Sequence, residues 1–373
     1  MKTRSAVLRR SGTSRPYEQS RPLEIEELDL APPGPGELLV RIRAAGICHS
    51  DLSVIDGNRP RPLPMALGHE AAGEVVALGD GVIDINPGAH VVLAFVPSCR
   101  ECIYCNTGRP ALCARGAKAN GAGELLSGGS RLRTAGGATV AHHLGVSAFS
   151  EHVVVDRSSA VVVPDSVPFE TAALLGCAML TGMGAVRNTA GVREDDTVCV
   201  LGLGGVGQAA VLGSVIAGAG CVIAVDPVED KRELARSLGA THTAAPEDAE
   251  ALVQSLTGGG VRWAFEAVGA APVMEQAFRL LGRGGTAISV GLPAPDRSVM
   301  FPALAFAGEG KGFLGSYMGS SRPQEDVPDM IELWWEGRLP VGRLLTGALP
   351  LSRINEAFDA LAEGTAVRQV VLP

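Results

Sequence analysis

Cys99, Cys102, Cys105 and Cys113 lie in the run CRECIYCNTGRPALC, with the spacing C-x2-C-x2-C-x7-C. Three thiols two residues apart and a fourth one short loop later can close on one tetrahedral cation without recruiting the rest of the chain. Zinc held by four sulfurs has no position left for water or substrate, so this site is structural and not the catalyst. Four of only eight cysteines are clustered this tightly, which makes unrelated thiols or disulfides the poorer readings. Cys48 in GICHSDL, His69 in GHE and Cys177 in LLGCAMLTG are the other candidate ligands. Two thiolates and an imidazole would leave a fourth position open for water or an alcohol. They form no local motif, however, and each alone is better read as a packed thiol or a satisfied imidazole.

A third constellation is GLGGVG, which supplies Gly202, Gly204, Gly205, Val206 and Gly207. It follows the apolar run VCVL and opens the helical run VGQAAVLGSVIAG, and the next apolar run, CVIAV, ends at Asp226. Strand, glycine turn, helix, strand and acid in that order suit a dinucleotide. The glycines admit the pyrophosphate to a helix N-terminus, and Asp226 can accept from both ribose hydroxyls while repelling a 2′-phosphate. NAD is therefore expected over NADP. Lys231, one helical turn on, could reach the same ribose or serve only as a solvated helix lysine.

The elements that must position these residues differ between the two parts of the chain. Up to about residue 178, short alternating runs such as LLVRIRAAG are broken by turn signals such as Asn86 to Gly88, which suits strands of a β-rich domain. From about Val198, apolar runs alternate with helical-period segments such as EDKRELARSLG, the pattern of βαβ units and a doubly wound parallel sheet. Residues 1–178 and 320–373 are read as one domain carrying a zinc lobe at about 97–115, and 179–319 as the nucleotide domain. The glycine-rich stretch between Cys113 and Phe149 reads as a long ordered surface loop.

At 373 residues the chain exceeds one ordinary core. With 46% hydrophobic residues and a formal net charge of −8, it presents no nucleic-acid surface. The basic start MKTRSAVLRRSG lacks an apolar core, and no run of about 18 unbroken apolar residues occurs outside glycine-rich turns, so no membrane segment is expected. The cysteine usage suits a reducing, cytoplasmic setting.

GICHSD, GHE, the four-cysteine knuckle, GC followed by TG at Gly176 to Gly182, and GLGGVG, in this order and at these separations, resemble the zinc-containing alcohol dehydrogenases of the medium-chain dehydrogenase/reductase family. The resemblance covers nearly the whole chain. It implies an α/β architecture, a Rossmann doubly wound parallel sheet plus a GroES-like β-barrel catalytic domain that the C-terminal segment completes. It implies two Zn2+ per chain and NAD, with Cys48, His69 and Cys177 as catalytic zinc ligands and Cys99, Cys102, Cys105 and Cys113 as the structural set. Glu70 resembles the acid that can approach the metal, Asp51 the partner that orients a ligand, and Ser50 the hydroxyl beside the substrate oxygen. His49, Thr181 and Arg368 resemble contacts to the pyrophosphate and nicotinamide.

The implied reaction is hydride transfer between a primary or aromatic alcohol, or its aldehyde in reverse, and NAD. The alternatives are a thiol-dependent formaldehyde dehydrogenase and a non-catalytic zinc- and nucleotide-binding relative. Several positions depart from the family pattern. Ser53 stands where liver-type members carry the histidine that ends the proton relay, and Ala270 where they carry an arginine over adenine. By position, Arg59, Phe95 and Leu292 should line the substrate pocket, and the charge of Arg59 counts against the thiol-adduct activity. The resemblance implies a homodimer, with a tetramer as the alternative, joined through the sheet segment Lys311 to Gly319.

Overall fold

Continuous apolar strands in the middle of the chain stack side by side. A computed structural model describes all residues 1–373, which divide into two compact units, Met1–Cys177 with Arg322–Pro373, and Ala178–Ser321. The second unit holds a six-stranded parallel sheet. Its order is His242–Ala244, Cys221–Val225, Thr197–Leu201, Val261–Glu266, Leu281–Ser289 and Gly312–Gly315. Cys199, Ile223, Ala264 and Ala287 are all fully buried, as expected of strands covered by helices on both faces. Thr197–Leu201 has the strand that follows it in sequence on one side and Val261–Glu266 on the other. The strand order therefore reverses at its carboxyl end, where α/β sheets bind ligands.

The first unit is β-rich. Lys2–Leu8, Leu23–Leu30, Leu132–Arg133, Thr139–His142 and Met65–Ala66 close a small barrel. A seven-stranded sheet runs Ala160–Val162, His90–Leu93, Ala71–Leu78, Glu37–Gly46, Arg368–Leu372, Leu345–Pro350, with His152–Asp156 also paired to Glu37–Gly46. Val370 lies opposite Gly46, so the end of the chain extends the sheet whose central strand leads to Cys48. Phe149 and Phe358, both fully buried, meet edge to face at 5.9 Å in this core; truncating either ring costs about 3–5 kcal/mol.

One expectation is corrected. The stretch after Cys113 is not a surface loop. It forms the helix Ala114–Ala122 and two very short strands that close the barrel, with Leu125, Leu132 and Val140 buried. Strands of two to four residues leave too little alternation to read. The chain also contains one helix long and apolar enough to cross a membrane, Phe169–Ala190, but 83% of its most apolar window is buried inside the protein, the condition of a core helix.

Candidate active site

Three side chains far apart in sequence meet within the first unit. Cys48 ends the approach from strand Glu37–Gly46 and caps the helix His49–Ile55. His69 follows Gly68, whose φ of 93° and the Phe149 backbone nitrogen 2.5 Å from where a Cβ would stand leave room only for glycine. Cys177 lies on a π-helical turn, Leu175–Met179, an irregularity common at functional sites. Its Sγ is 3.4 Å from His69 Nε2, and the donor atoms of all three lie within 4.8 Å of one another, buried. A tetrahedral zinc with bonds of about 2.3 Å to sulfur and 2.0–2.1 Å to nitrogen sets its sulfur and nitrogen ligands about 3.5 Å apart.

The electrostatics also fit a cation. A neighbouring Cys177 bond, opposed by burial and reinforced by His69 and Arg368, holds the Cys48 thiol well below its ordinary range. Burial works against a charged His69 imidazole, but Asp51 and Cys48 outweigh it and hold it up at about 10. Asp51, fully buried, accepts from the Gly68 N–H and stands 3.1 Å from His69 Nδ1, leaving Nε2 to face the thiols. Phe95 stands edge-on to His69 at 5.4 Å, and its carbonyl is held by the Asn120 amide at 2.9 Å. Glu70 is fully buried and receives the Arg368 guanidinium, itself 3% exposed.

In the lobe, Cys102 Sγ and Cys105 Sγ are 3.6 Å apart, and Cys99 Sγ and Cys105 Sγ 4.0 Å, against about 3.8 Å for two thiolates on one tetrahedral zinc. Cys113 joins them, and its sulfur accepts from the N–H groups of Cys99 and Gly116. Backbone N–H groups of Cys105 and Ala114 draw Cys102 down to about 6. Burial and the Cys102 thiol push Cys105 the other way. Thiols this close cannot all ionise without a cation.

In the parallel-sheet unit, helix Gly205–Ile216 begins at Gly204 with no side-chain cap, and nothing lies within 4 Å of a Cβ placed there. Its first N–H groups are available to an anion. A Cβ on Gly207 would fall 1.8 Å from the Gly202 carbonyl oxygen, so the turn requires glycine. Asp226 braces the turn, its carboxylate accepting from the N–H of Leu203 at 2.8 Å and of Val228 at 2.9 Å.

The sequence matches the Alcohol dehydrogenase GroES-like domain over residues 34–165 and the Zinc-binding dehydrogenase domain over 205–336. Over its whole length it is 39% identical to the NDMA-dependent alcohol dehydrogenase of Amycolatopsis methanolica, covering 99% of it. It is 36% identical to the S-(hydroxymethyl)glutathione dehydrogenase of Synechocystis, with both chains fully covered. The chain belongs to the zinc-containing alcohol dehydrogenases. Among solved structures, benzyl alcohol dehydrogenase from Acinetobacter calcoaceticus superposes with a TM-score of 0.92 at 32% identity, covering 100% of this chain and 99% of that one. Zinc and NAD are the cofactors that membership brings to this oxidoreductase.

The remaining site residues of this alcohol dehydrogenase are placed as follows. His49 is exposed and Ser50 half-buried in the first turn of helix His49–Ile55. The Ser53 hydroxyl donates to the His49 carbonyl at 2.9 Å, and the Arg59 N–H to the Ser53 carbonyl at 2.7 Å. Thr181 is buried, and Leu292 is half exposed in the parallel-sheet unit. The Lys231 carbonyl accepts from Gln208, and it is Arg232 that reaches the Asp226 carbonyl, at 2.5 Å. Arg232 and His143 went unread in the sequence. A basic residue six positions after the acid and a doubled histidine at 142 and 143 were the available signals.

Proposed function

We propose that this alcohol dehydrogenase oxidises primary or aromatic alcohols with NAD, at a catalytic zinc held by Cys48, His69 and Cys177. The convergence of those three buried donors carries the reading. The likeness to benzyl alcohol dehydrogenase supports aromatic substrates, as does Phe95 standing against His69. When bound, zinc supplies Lewis acidity at the substrate oxygen and NAD accepts the hydride. Ser50, two residues after Cys48, takes the alcohol proton onward. Ser53, whose hydroxyl donates to the His49 carbonyl, is no base at neutral pH and cannot end the path, so the proton leaves through water or another group. His49 and Arg368 serve the pyrophosphate, Thr181 the nicotinamide side, and Asp226 the ribose. Arg59 and Phe95 in the first unit, and Leu292 in the parallel-sheet unit, serve the substrate. The lobe cysteines hold a second, structural zinc.

The eight cysteines, none in a disulfide, support a cytoplasmic setting. Gly312–Gly315 is the outermost strand of the parallel sheet, and Leu314, Met300 and Leu304 are exposed in the same unit. These features support a homodimer joined through that edge.

The test is a panel of alcohols and aldehydes with NAD and NADP in parallel, NDMA as an alternative acceptor, and formaldehyde with and without thiols. Alcohol-dependent NADH formation is expected, with Cys48→Ala abolishing it while leaving folding and NAD binding intact. Thiol-dependent formaldehyde oxidation alone would favour the activity named for the Synechocystis relative. Undiminished turnover in C48A would refute the metal assignment.

A further inference from the structure

His143 has no part in the reaction described above, yet it is fully walled into the same place. Its Nδ1 stands 3.0 Å from Asp51 Oδ1, with its side chain 1% exposed and that of Asp51 fully buried. The same carboxylate oxygen accepts from Gly68 N at 3.1 Å and lies 3.1 Å from His69 Nδ1. The Gly68 N–H and the two imidazoles thus converge on one buried oxygen, with His143 Nδ1 in close contact at 3.0 Å but off the line of a hydrogen bond. The His143 ring also stands edge-on to the His69 ring, at 5.4 Å and 88°, as Phe95 does at 5.4 Å and 86°.

The backbone around His143 is built to hold it there. Its N–H donates to Ser147 Oγ at 3.0 Å, and its carbonyl accepts from the N–H groups of Val146 and Ser147. Within this turn Leu144 and Ser147 adopt φ of 51° and 56°, a region that side-chain-bearing residues rarely occupy and that persists only where the surroundings enforce it. Such enforced conformations cluster where a side chain must be aimed, here at Asp51.

We propose that His143 is a positioning residue for the zinc ligand His69, acting through Asp51. By standing its Nδ1 against the carboxylate and its ring edge-on to the His69 ring, it fixes the direction in which Nε2 presents its lone pair to the metal. Groups that orient a ligand imidazole commonly change metal affinity about 10–100-fold when removed. The inference rests on the reading of Cys48, His69 and Cys177 as the catalytic zinc site.

The experiment measures zinc release to a chromogenic chelator, together with the visible spectrum of the cobalt-substituted protein, in the full chain. Wild type is expected to release two zincs per chain with separable rates; a single zinc would overturn the underlying site assignment itself. His143→Phe keeps a ring beside His69 but removes the nitrogen that stands against Asp51. It should accelerate release of the catalytic zinc about tenfold or more, leave the four-cysteine zinc at its wild-type rate, and shift the cobalt bands. His143→Asn, whose amide nitrogen falls near the position of Nδ1, should restore release to within about threefold of wild type. His143→Gln, whose amide falls near Nε2 instead, should behave as H143F, and it takes that variant's place if H143F does not fold. Two zincs in wild type with unchanged release of both in H143F and H143Q would overturn the proposal, as would equal acceleration in H143N and H143Q.

Discussion

The guanidinium of Arg368 is buried against the carboxylate of Glu70, a residue 298 positions earlier in the chain. The pair joins the final strand, Arg368–Leu372, to the segment that carries His69, beside Gly46, where a Cβ would stand 2.6 Å from Glu70 Oε2. Burying either charge alone is far more costly than burying both together.

Arg368→Ala should therefore destabilise the first unit by about 3–5 kcal/mol, because it leaves the Glu70 carboxylate buried and uncompensated. The double variant Glu70→Gln with Arg368→Met should recover most of that loss. Urea unfolding of the three proteins measures this; a double variant no more stable than Arg368→Ala would show that the charge left behind is not the cause.

His142 predicts a pH dependence. Burial is the main cause holding its imidazole down at about 4, with Arg131 and Arg133 adding to it and Glu37 opposing. Its Nε2 accepts the Arg131 N–H at 3.2 Å, which only the neutral ring can do. Above pH 6.5 both folded and unfolded chains carry it neutral and its contribution is fully present. As pH falls from about 6.5 towards 4, only the unfolded chain takes up the proton, and stability is lost. At roughly 1.4 kcal/mol per unit this reaches at most about 3 kcal/mol. His142→Gln should flatten the difference in unfolding free energy between pH 7.5 and 5; an unchanged slope would assign it to other groups.

Asp226→Asn should weaken NAD binding about tenfold and narrow the preference for NAD over NADP. The amide accepts through one oxygen where the carboxylate accepts the Leu203 and Val228 N–H groups through two, and it no longer repels a 2′-phosphate. NADH fluorescence titration measures the affinity. Zinc content should be unchanged, since both donor clusters lie in the other unit.

Cys102→Ser should reduce bound zinc from two per chain to one and lower the thermal midpoint, because metal binding to the lobe is coupled to its folding. Metal analysis alongside a melting curve checks this. Loss of both ions would mean that the two sites are not independent.

How much was legible depended on how local each cause is. The four lobe cysteines span Cys99 to Cys113, and the glycine turn with Asp226 spans Gly202 to Asp226; each is one supersecondary unit, so spacing alone implies proximity. Apolar runs buried on both faces revealed the parallel sheet for the same reason. The barrel was read incompletely because strands such as Leu132–Arg133 and Met65–Ala66 are two residues long. Their place is set by neighbours across the barrel and not by their own pattern.

The sequence by itself determined the zinc lobe's ligand spacing, the dinucleotide turn and the family, since residue type and short-range order suffice for these. Only the tertiary structure decided that Cys48, His69 and Cys177 share one point, that Arg368 answers Glu70, and that His143 stands against Asp51. Each of these joins side chains whose approach depends on a strand register, a positive φ or a π-helical turn. The packing of the whole unit selects those features, and no local spacing encodes them.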